Sequence, residues 1–464
     1  MLRIGGLTAR RSLATCGIGL ILAGCVGPSA RPTDTPVERP EPSATDLPPV
    51  GPTLTPLHTP TQPAQPLGPT AAGRVENFVE VGHDSFGGRG WNAGLALQYP
   101  CAYVANRRQH IVIEDVSDPA HPVLVDSLPL PYAGELVELR TVPDLALLVV
   151  LNFAPNPSVM TYDVQDCRRP QPIGALGLGA VGHEFFLWRD PADPARLLMF
   201  VAMFQSSGPD LMVVDLTDAA RPRLVGSWSS EDEGVSGRLH SLSLSPDGRR
   251  AYLAVHGAGL LVADAAGFAE NTPGAGLRLM RDSNGSFTPA PGAAAHSAVL
   301  LSDPRYVLVT QEVYECPFAG LFISALSDEA HPRIIGRFAL PENDPACDSL
   351  PQPDAVFTAH NPLVVGDLVL VTWYGGGLQA LDLKDPVRPQ RLGLFVPRGE
   401  GAAAESYVGT YPVQMWSYPI LRQGLIYVSD IQSGLYILRY TGPGADGLEG
   451  VPMAEGNTNL WLVP

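Results

Sequence analysis

Short runs of apolar residues, many alternating with polar ones, recur along most of this chain and predict β-strands rather than helices. A clear example is HSLSLSPDGRRAYLAVHGAGLLVAD at 240–264, where a PDG turn and a glycine-rich turn separate three such runs. The neighbouring segments repeat this order of strand, turn, strand, turn and strand. The hydrophobic pattern therefore predicts an all-β fold built from repeated antiparallel units.

A turn that contains aspartate and proline follows the third strand of these units and leads into a fourth strand. Five clear copies are EDVSDPAHPVLV (114–125), YDVQDCRRPQPIG (162–174), VDLTDAARPRLVG (214–226), SALSDEAHPRIIG (324–336) and LDLKDPVRPQRLG (381–393). More degenerate copies are VADAAGFAENTPG (262–274) and YILRY (436–440). An aspartate at the start of a turn accepts hydrogen bonds from the backbone that follows, and proline presets φ for the bend. We therefore expect these aspartates to close turns rather than to catalyse a reaction.

The spacing of the copies sets the number of units in the fold. Successive copies are 48, 52, 49, 61, 57 and 57 residues apart, which gives each unit room for four short strands. Seven such units predict a seven-bladed β-propeller over residues 75–440. The last unit shows three strands, and VENFVEVG (75–82) fits the missing fourth, so we expect an N-terminal strand to close the ring. The tail 441–464 is left over, and we expect its segment NLWLVP to lie on the outside.

Residues 1–24 have the anatomy of a signal peptide. Three arginines, Arg3, Arg10 and Arg11, precede the apolar run LATCGIGLILAG, which is too short to be a permanent membrane span. The sequence LAGC at 22–25 resembles the bacterial lipobox, which implies cleavage before Cys25 and acylation of that cysteine, for example with palmitate. The alternative is an ordinary signal peptide with an incidental cysteine.

Residues 25–74 predict a disordered tether between this anchor and the propeller. Thirteen prolines lie within residues 26–75 among Ser, Thr and Ala, a composition that buries too little apolar surface to fold. We therefore expect an exported protein that a lipid holds to the cell membrane or cell envelope, with the propeller on the extracytoplasmic side.

Composition and charge exclude one class of partner and two classes of fold. The formal net charge is −17, so the chain lacks the basic surface that a nucleic acid requires. Charged residues make up only 17% of the chain, which argues against helical bundles and coiled coils.

The turn pattern D-V-x-D-P-x-x-P-x-L-V-G resembles the LVIVD repeat of bacterial surface and exported propellers, and the resemblance covers roughly residues 75–440. Two stretches, GHDSFGGRGWNAGLAL (82–97) and TAHNPLVVGDLVLVTWYGGGLQALDLKDP (358–386), resemble a lipoprotein-type branch of that family. The resemblance implies the architecture and says little about activity. The departures are the degraded fourth turn and Ala325, which stands where the other clear copies have aspartate.

Four histidines recur at one position of the repeat. His183, His240, His296 and His360 each stand at the start of the first strand of four successive blades. First strands line the axis of a propeller, so these imidazoles are expected to converge on the face of the inter-blade loops, with His83 as a further candidate. Convergent neutral imidazoles are typical ligands of one transition-metal ion. The alternative is that each histidine caps a strand and has a structural role.

The propeller contains four cysteines, and an even number in an exported chain indicates disulfides. Cys101 begins a second strand and Cys167 lies in a turn of the next blade, so both lie on one face. Cys316 follows a second strand and Cys347 lies in an inter-blade loop, so both lie on the opposite face. This topology predicts the pairs Cys101–Cys167 and Cys316–Cys347.

The function remains open between hypotheses of different classes. The chain contains no GxSxG, P-loop, HExxH or CxxC motif. The favoured hypothesis is a surface binding module that recognises a protein or small-molecule ligand on the inter-blade-loop face. The alternative is a metal-dependent oxidase or hydrolase that uses the four histidines as ligands, and a purely structural envelope role is the third.

Overall fold

The computed structural model describes residues 73–462, apart from 109, 131–134, 205–207, 344–354 and 400–410. The predicted signal peptide, almost all of the tether, and the residues Cys25 and Cys347 lie outside this described part. The described part contains no helix that is long and apolar enough to cross a membrane.

Seven antiparallel sheets, the blades, account for the described strands, which confirms the predicted seven-bladed β-propeller. Blade 1 contains β3 (Asn92–Gln98), β4 (Cys101–Asn106), β5 (His110–Asp115) and β6 (Val123–Pro129). Blade 2 contains β7 (Leu136–Val142), β8 (Leu147–Asn152), β9 (Val159–Asp163) and β10 (Gln171–Leu176). Blade 3 contains β11 (Glu184–Arg189), β12 (Leu197–Ala202), β13 (Leu211–Asp215) and β14 (Arg223–Trp228). Blade 4 contains β15 (Arg238–Leu244), β16 (Arg250–His256), β17 (Gly259–Asp264), β18 (Arg278–Leu279) and β19 (Ala290–Pro291). Blade 5 contains β20 (Ala295–Leu300), β21 (Tyr306–Gln311), β22 (Leu321–Ala325) and β23 (Arg333–Phe338). Blade 6 contains β24 (Pro362–Val365), β25 (Leu368–Thr372), β26 (Leu378–Asp382), β27 (Gln390–Val396) and β1 (Arg74–Glu76). Blade 7 contains β28 (Ile420–Arg422), β29 (Leu425–Asp430), β30 (Gly434–Tyr440), β2 (Phe78–Asp84) and β31 (Ala454–Glu455).

Helices are few and short in the described residues. They are α1 (Ala266–Ala269), α2 (Asp446–Glu449) and the 3-10 turns Pro143–Leu145, Glu231–Glu233 and Pro341–Asn343. In blade 4, Asp264 still accepts a hydrogen bond from the backbone N–H of Ala266 at 2.9 Å, and helix α1 follows it where the other copies have a turn.

The repeated aspartates close turns, as the sequence predicts. The Oδ1 atom of the first aspartate accepts a hydrogen bond from the backbone N–H two residues later, as in Asp115 to Ser117 (2.9 Å) and Asp163 to Gln165 (2.8 Å). The second aspartate of the motif repeats this contact, and Asp328 retains it in blade 5, where the first aspartate is replaced by Ala325. These bonds satisfy the backbone at the bend between the third and fourth strands.

The glycine that ends the motif lies where the next blade approaches most closely. A Cβ atom on Gly336 would lie 2.0 Å from the carbonyl oxygen of Pro386, and one on Gly82 would lie 2.1 Å from that of Pro119. In both cases the carbonyl belongs to the aspartate turn of the following blade. The glycine of one repeat therefore allows the turn of the next repeat to pack against it.

The ring closes through the N-terminal segment. Strand β2 pairs antiparallel with β30 as the outermost strand of blade 7, which confirms the predicted closing strand. Strand β1, just before it, adds a further strand to the outer edge of blade 6 by pairing with β27.

The prediction that NLWLVP (459–464) lies on the outside is wrong for its first residue, Asn459, but not for Trp461 and Leu462. Strand β31 pairs with the inner edge of β28, and Thr458 forms a parallel bridge with Leu187 on the inner edge of blade 3. Asn457 and Asn459 are buried, whereas Trp461 and Leu462 are partly exposed. Residues 454–459 therefore lie among the innermost strands, where they supply hydrogen-bond partners to edges that face the axis.

Candidate metal centre

The structure brings His183, His240, His296 and His360 together, and we refer to these four residues as the histidine cluster. Their ring centroids are 4.4 Å apart between His183 and His240, 4.0 Å between His240 and His296, and 4.1 Å between His296 and His360. Each residue lies within two positions of the first residue of the innermost strand of its blade, in blades 3, 4, 5 and 6. The repeat therefore places one imidazole per blade at the same height along the axis.

The Nε2 atoms of the cluster point towards one another and towards the carboxylate of Glu312. The Nε2 atoms of His183 and His240 are 3.0 Å apart. Glu312 oxygens lie 3.8 Å from His240 Nε2, 3.9 Å from His296 Nε2 and 3.3 Å from His360 Nε2. Two ring nitrogens at 3.0 Å either share a proton or direct both lone pairs at a common cation.

The Nδ1 atoms of two cluster histidines have partners of their own. His360 Nδ1 lies 2.7 Å from the carbonyl oxygen of Trp416, so Nδ1 carries a proton that it donates to that oxygen. His296 Nδ1 lies 2.8 Å from the hydroxyl of Ser297. Such contacts fix the orientation of an imidazole, as is common for metal-ligating histidines.

The cluster is largely buried, with His183 partly exposed, and burial shifts its protonation. His240, His296 and His360 are at most 2% exposed, and Glu312 is 8% exposed. Burial lowers the pKa of His183 to about 4 and places the pKa values of His240 and His296 well below their usual range. These imidazoles are therefore neutral at pH 7, which is the form that binds metals.

Glu312 remains an anion in this buried setting. Burial raises the pKa of its carboxyl, but the hydrogen bond and the electrostatic attraction of His360, together with hydrogen bonds from Tyr374 and Tyr314, outweigh that effect and lower the pKa below its ordinary value. A buried carboxylate is costly unless positive charge compensates it.

The distances suit a single ion. Ligands bound at about 2.1 Å lie about 3.4 Å apart in a tetrahedral site and about 3.0 Å apart for neighbouring octahedral positions. The ligand-atom separations given above, from 3.0 to 3.9 Å, bracket these values. Two overlapping triads, His183–Glu184–His240 and His240–His296–Glu312, each have ligand atoms within 4.8 Å of one another. The donor atoms of each triad are therefore close enough to share one metal ion.

The sequence interpretation missed the second row of site residues, which lies at the ends of the second strands. These strands run back towards the face where the first strands begin, so the residues that end or follow them also reach the cluster. They are Phe153, Phe204, His256, Glu312 and Tyr374. The residue types at this position differ between the repeats, so no shared sequence pattern marks these residues.

A buried polar network lies deeper along the axis, next to the cluster. The Tyr418 hydroxyl donates to Glu184 at 3.3 Å, and Oε1 of Glu184 is 3.7 Å from His296 Nε2. Burial and then the nearby Glu138 carboxylate raise the pKa of Glu184 to about 8. Arg140 forms ion pairs with Glu138 and, at 3.1 Å, with Glu455 of the tail. The tail is thus joined by charge to the inner strands below the cluster.

His83 lies apart from the cluster. It is on the outermost strand of blade 7, where its ring stacks on Tyr436 at 4.2 Å and its Nε2 lies 2.6 Å from the carbonyl oxygen of Ser433. No contact between His83 and the cluster occurs among the described residues.

The equivalent positions in the other blades hold different groups. Asn92 donates to the carbonyl of Ile431, and Glu135 pairs with Arg107 at 2.6 Å. In blade 7 the Trp416 ring lies 4.8 Å from His360 and covers that side of the cluster. Among the described residues, the histidines of the cluster thus come from blades 3 to 6.

One of the two predicted disulfides is confirmed. Cys101 and Cys167 are bonded across blades 1 and 2, with Cα atoms 5.8 Å apart. The second predicted pair involves Cys347, which lies outside the described residues.

Comparisons with known proteins bear on the fold. A family model described as LVIVD repeat matches residues 99–128, which span β4, β5 and most of β6. Sqt1 from Saccharomyces cerevisiae is similar over 79% of this chain and 100% of its own, with 9% identity and a TM-score of 0.49. The β-propeller domain of Cps50 (Swd1) from Myceliophteria thermophila is similar over 78% of this chain and 99% of its own, with 12% identity and a TM-score of 0.47. No curated protein matches the sequence. The seven antiparallel sheets of the structure themselves show the seven-bladed β-propeller, and the match to the LVIVD repeat lies within its first blade.

Proposed function

We propose that the histidine cluster and Glu312 bind one divalent transition-metal ion. The observation that carries this proposal is the convergence of imidazole Nε2 atoms from separate blades on one buried carboxylate, at separations that match ligands of a shared ion. Repeated structural caps would not require the nitrogens of neighbouring blades to face one another at 3.0 Å.

The donor set favours a particular class of ion. Imidazole nitrogen suits Zn²⁺, Cu²⁺, Ni²⁺ and Fe²⁺, whereas Ca²⁺ and Mg²⁺ prefer sites made of oxygen ligands. Neutral imidazoles contribute no charge, so the Glu312 carboxylate supplies the compensating anion for the ion.

We further propose that the protein is exported and held to a membrane by a lipid on Cys25, and that it acts as a surface binding module. The support is the residues before the propeller: the arginines, the short apolar run and the LAGC sequence. β-Propellers commonly serve as protein-interaction modules, although a fold alone does not define a function. The ligand, a protein or a small molecule, is proposed to bind on the face where the first strands begin.

A metal-dependent oxidase or hydrolase is the second candidate. Glu184 favours it, because a buried carboxyl that is linked to Tyr418 beside the cluster resembles a proton donor or acceptor placed next to an ion. If the protein is such an enzyme, Glu184→Gln should lose turnover, and the metal content of this variant distinguishes a lost proton donor or acceptor from a lost ligand, since Glu184 lies in one of the two triads.

Metal content of the full chain tests the proposed site. The protein would be incubated with Zn²⁺, Cu²⁺, Ni²⁺ or Fe²⁺, desalted and measured by mass spectrometry, beside a His240→Ala/His296→Ala variant. A matched control, His83→Ala/His121→Ala, removes two imidazoles away from the cluster.

We expect about one ion per chain in the wild type and in the control, and a loss of that ion in the cluster variant. Because two buried substitutions can impair folding, Glu312→Gln serves as a milder variant that keeps the size of the side chain. The absence of stoichiometric metal in a folded wild type would refute the proposed site and leave the histidines with a structural role.

A further inference from the structure

We infer that Tyr374 is a positioning residue for the proposed metal ligand Glu312, because its hydroxyl lies 2.6 Å from Glu312 Oε1 while its ring contacts His360. The inference rests on the proposed function, since it concerns the same site. Tyr374, in blade 6, would thus orient a ligand that belongs to blade 5.

The backbone of Tyr374 is held in a conformation that residues with side chains rarely adopt. Its φ is +35°, and Phe204, two residues after the second strand of blade 3, has nearly the same φ of +36°. Both residues follow the second strand of their blade by two positions, and both direct an aromatic ring at the cluster. Strained conformations of this kind persist where the surroundings enforce them, and they are concentrated at functional sites.

Neighbouring backbone groups keep Tyr374 in this conformation. Its carbonyl accepts hydrogen bonds from the N–H groups of Gly377 at 3.0 Å and Met415 at 3.1 Å. The side chain is fully buried. The hydroxyl is therefore presented by a rigid support rather than by a freely rotating side chain.

Glu312 needs such a support. It lies just beyond the end of β21, and its long side chain would otherwise sample several rotamers. The Tyr374 hydroxyl donates to Oε1, a charge-assisted hydrogen bond that fixes the carboxylate plane. Its other oxygen, Oε2, then faces His240 Nε2 at 3.8 Å. The Tyr314 hydroxyl, 3.4 Å from that of Tyr374, extends the network to a half-exposed residue.

The test measures metal binding in full-length variants that differ by one hydroxyl. Zn²⁺ affinity would be determined by competition with a chromophoric chelator, and the visible absorption of Co²⁺ would report the ligand geometry. Tyr374→Phe removes the hydroxyl and keeps the ring. Tyr103→Phe is the matched control, because that buried hydroxyl donates to the carbonyl of Cys167 in another part of the ring.

We expect Tyr374→Phe to weaken Zn²⁺ binding about tenfold and to change the Co²⁺ spectrum, as the loss of an outer-sphere partner usually does. The control should leave both measurements unchanged. In a Glu312→Gln background, Tyr374→Phe should have little further effect on affinity, because the tyrosine acts through the carboxylate.

The outcomes separate this inference from the proposed function. A wild type that binds no Zn²⁺ or Co²⁺ overturns both. A wild type that binds metal together with a Tyr374→Phe variant of equal affinity and equal spectrum overturns the positioning role alone. Additive effects of Tyr374→Phe and Glu312→Gln would also overturn it, since they would show that the two side chains act independently.

Discussion

The contact between the tail and blade 3 leads to a quantitative prediction for Asn459→Ala. Asn459 is 1% exposed, and its amide side chain pairs with both backbone groups of Arg189 on the inner edge of β11. The Arg189 N–H donates to Asn459 Oδ1 at 2.7 Å, and Asn459 Nδ2 donates to the Arg189 carbonyl at 2.8 Å. The side chain thus takes the place of a neighbouring strand.

Alanine at this position leaves two buried backbone groups without their partner. A buried polar group that loses its hydrogen bond costs about 1–3 kcal/mol. Water can reach the site from the partly exposed end at Trp461, so we take the lower part of this range for each group. The expected loss in the free energy of unfolding is about 2–4 kcal/mol.

Equilibrium denaturation with urea measures this loss, with intrinsic fluorescence and circular dichroism as independent probes. Gln171→Ala is the control, because it removes an exposed amide from the outer strand of blade 2 and should change stability by no more than about 0.5 kcal/mol. A free energy of unfolding for Asn459→Ala that matches the control would refute the view that the tail stabilises the inner edge.

Three further predictions follow from the repeat, the cluster and the disulfide. Gly336→Ala should destabilise the protein by more than about 2 kcal/mol in urea titrations, because its Cβ would lie 2.0 Å from a carbonyl oxygen of the next blade, whereas Gly447→Ala, with no atom within 4 Å, should be neutral. Burial lowers the pKa of His183 to about 4 from an ordinary value of 6.5, so between these values the unfolded chain binds a proton that the folded chain does not. The metal-free protein should therefore lose stability as the pH falls from 6.5 to 4, by at most about 3 kcal/mol. His183→Gln should make the free energy of unfolding depend less steeply on pH, and an unchanged dependence would contradict the assignment. Loss of the Cys101–Cys167 bond, which closes a loop of 66 residues, should cost about 4 kcal/mol when the double alanine variant is compared with the oxidised protein, and equal stability would show that the bond adds nothing.

The sequence predicts the fold well because the repeat encodes its own contacts. The aspartates cap turns that need no distant partner, and the motif glycines lie at the contacts between successive blades, so spacing alone leads to seven blades. The closing strand was also predictable, since the last unit lacks a fourth strand and the segment before the first unit has the matching pattern.

The tail could not be placed from its sequence. Its segment from Asn457 to Asn459 is polar and follows no strand pattern, so it reads as a surface segment. In the fold it lies against β11, whose inner edge is exposed to the axis only because the blades form a ring. The partner of the tail therefore depends on the tertiary structure and leaves no local signal.

The candidate site was predicted in part. First strands that begin with histidine indicate four of its residues, because equivalent positions of a repeat lie at equivalent heights. Glu312 and Tyr374 follow second strands, in repeats that share no residue type at this position, so no pattern marks them. His83 illustrates the opposite error: it is close to the right face in sequence terms, yet it lies on an outer strand.

Anomalous X-ray diffraction from crystals of the full chain grown with Zn²⁺ tests the central claim most directly. Data collected on both sides of the zinc absorption edge locate the ion independently of any assumed ligand. We predict one strong peak within about 2.3 Å of Nε2 atoms from the histidine cluster and of a Glu312 carboxylate oxygen. A folded protein with no peak there, or with zinc bound only to surface residues such as His331 and Asp282, would contradict the account.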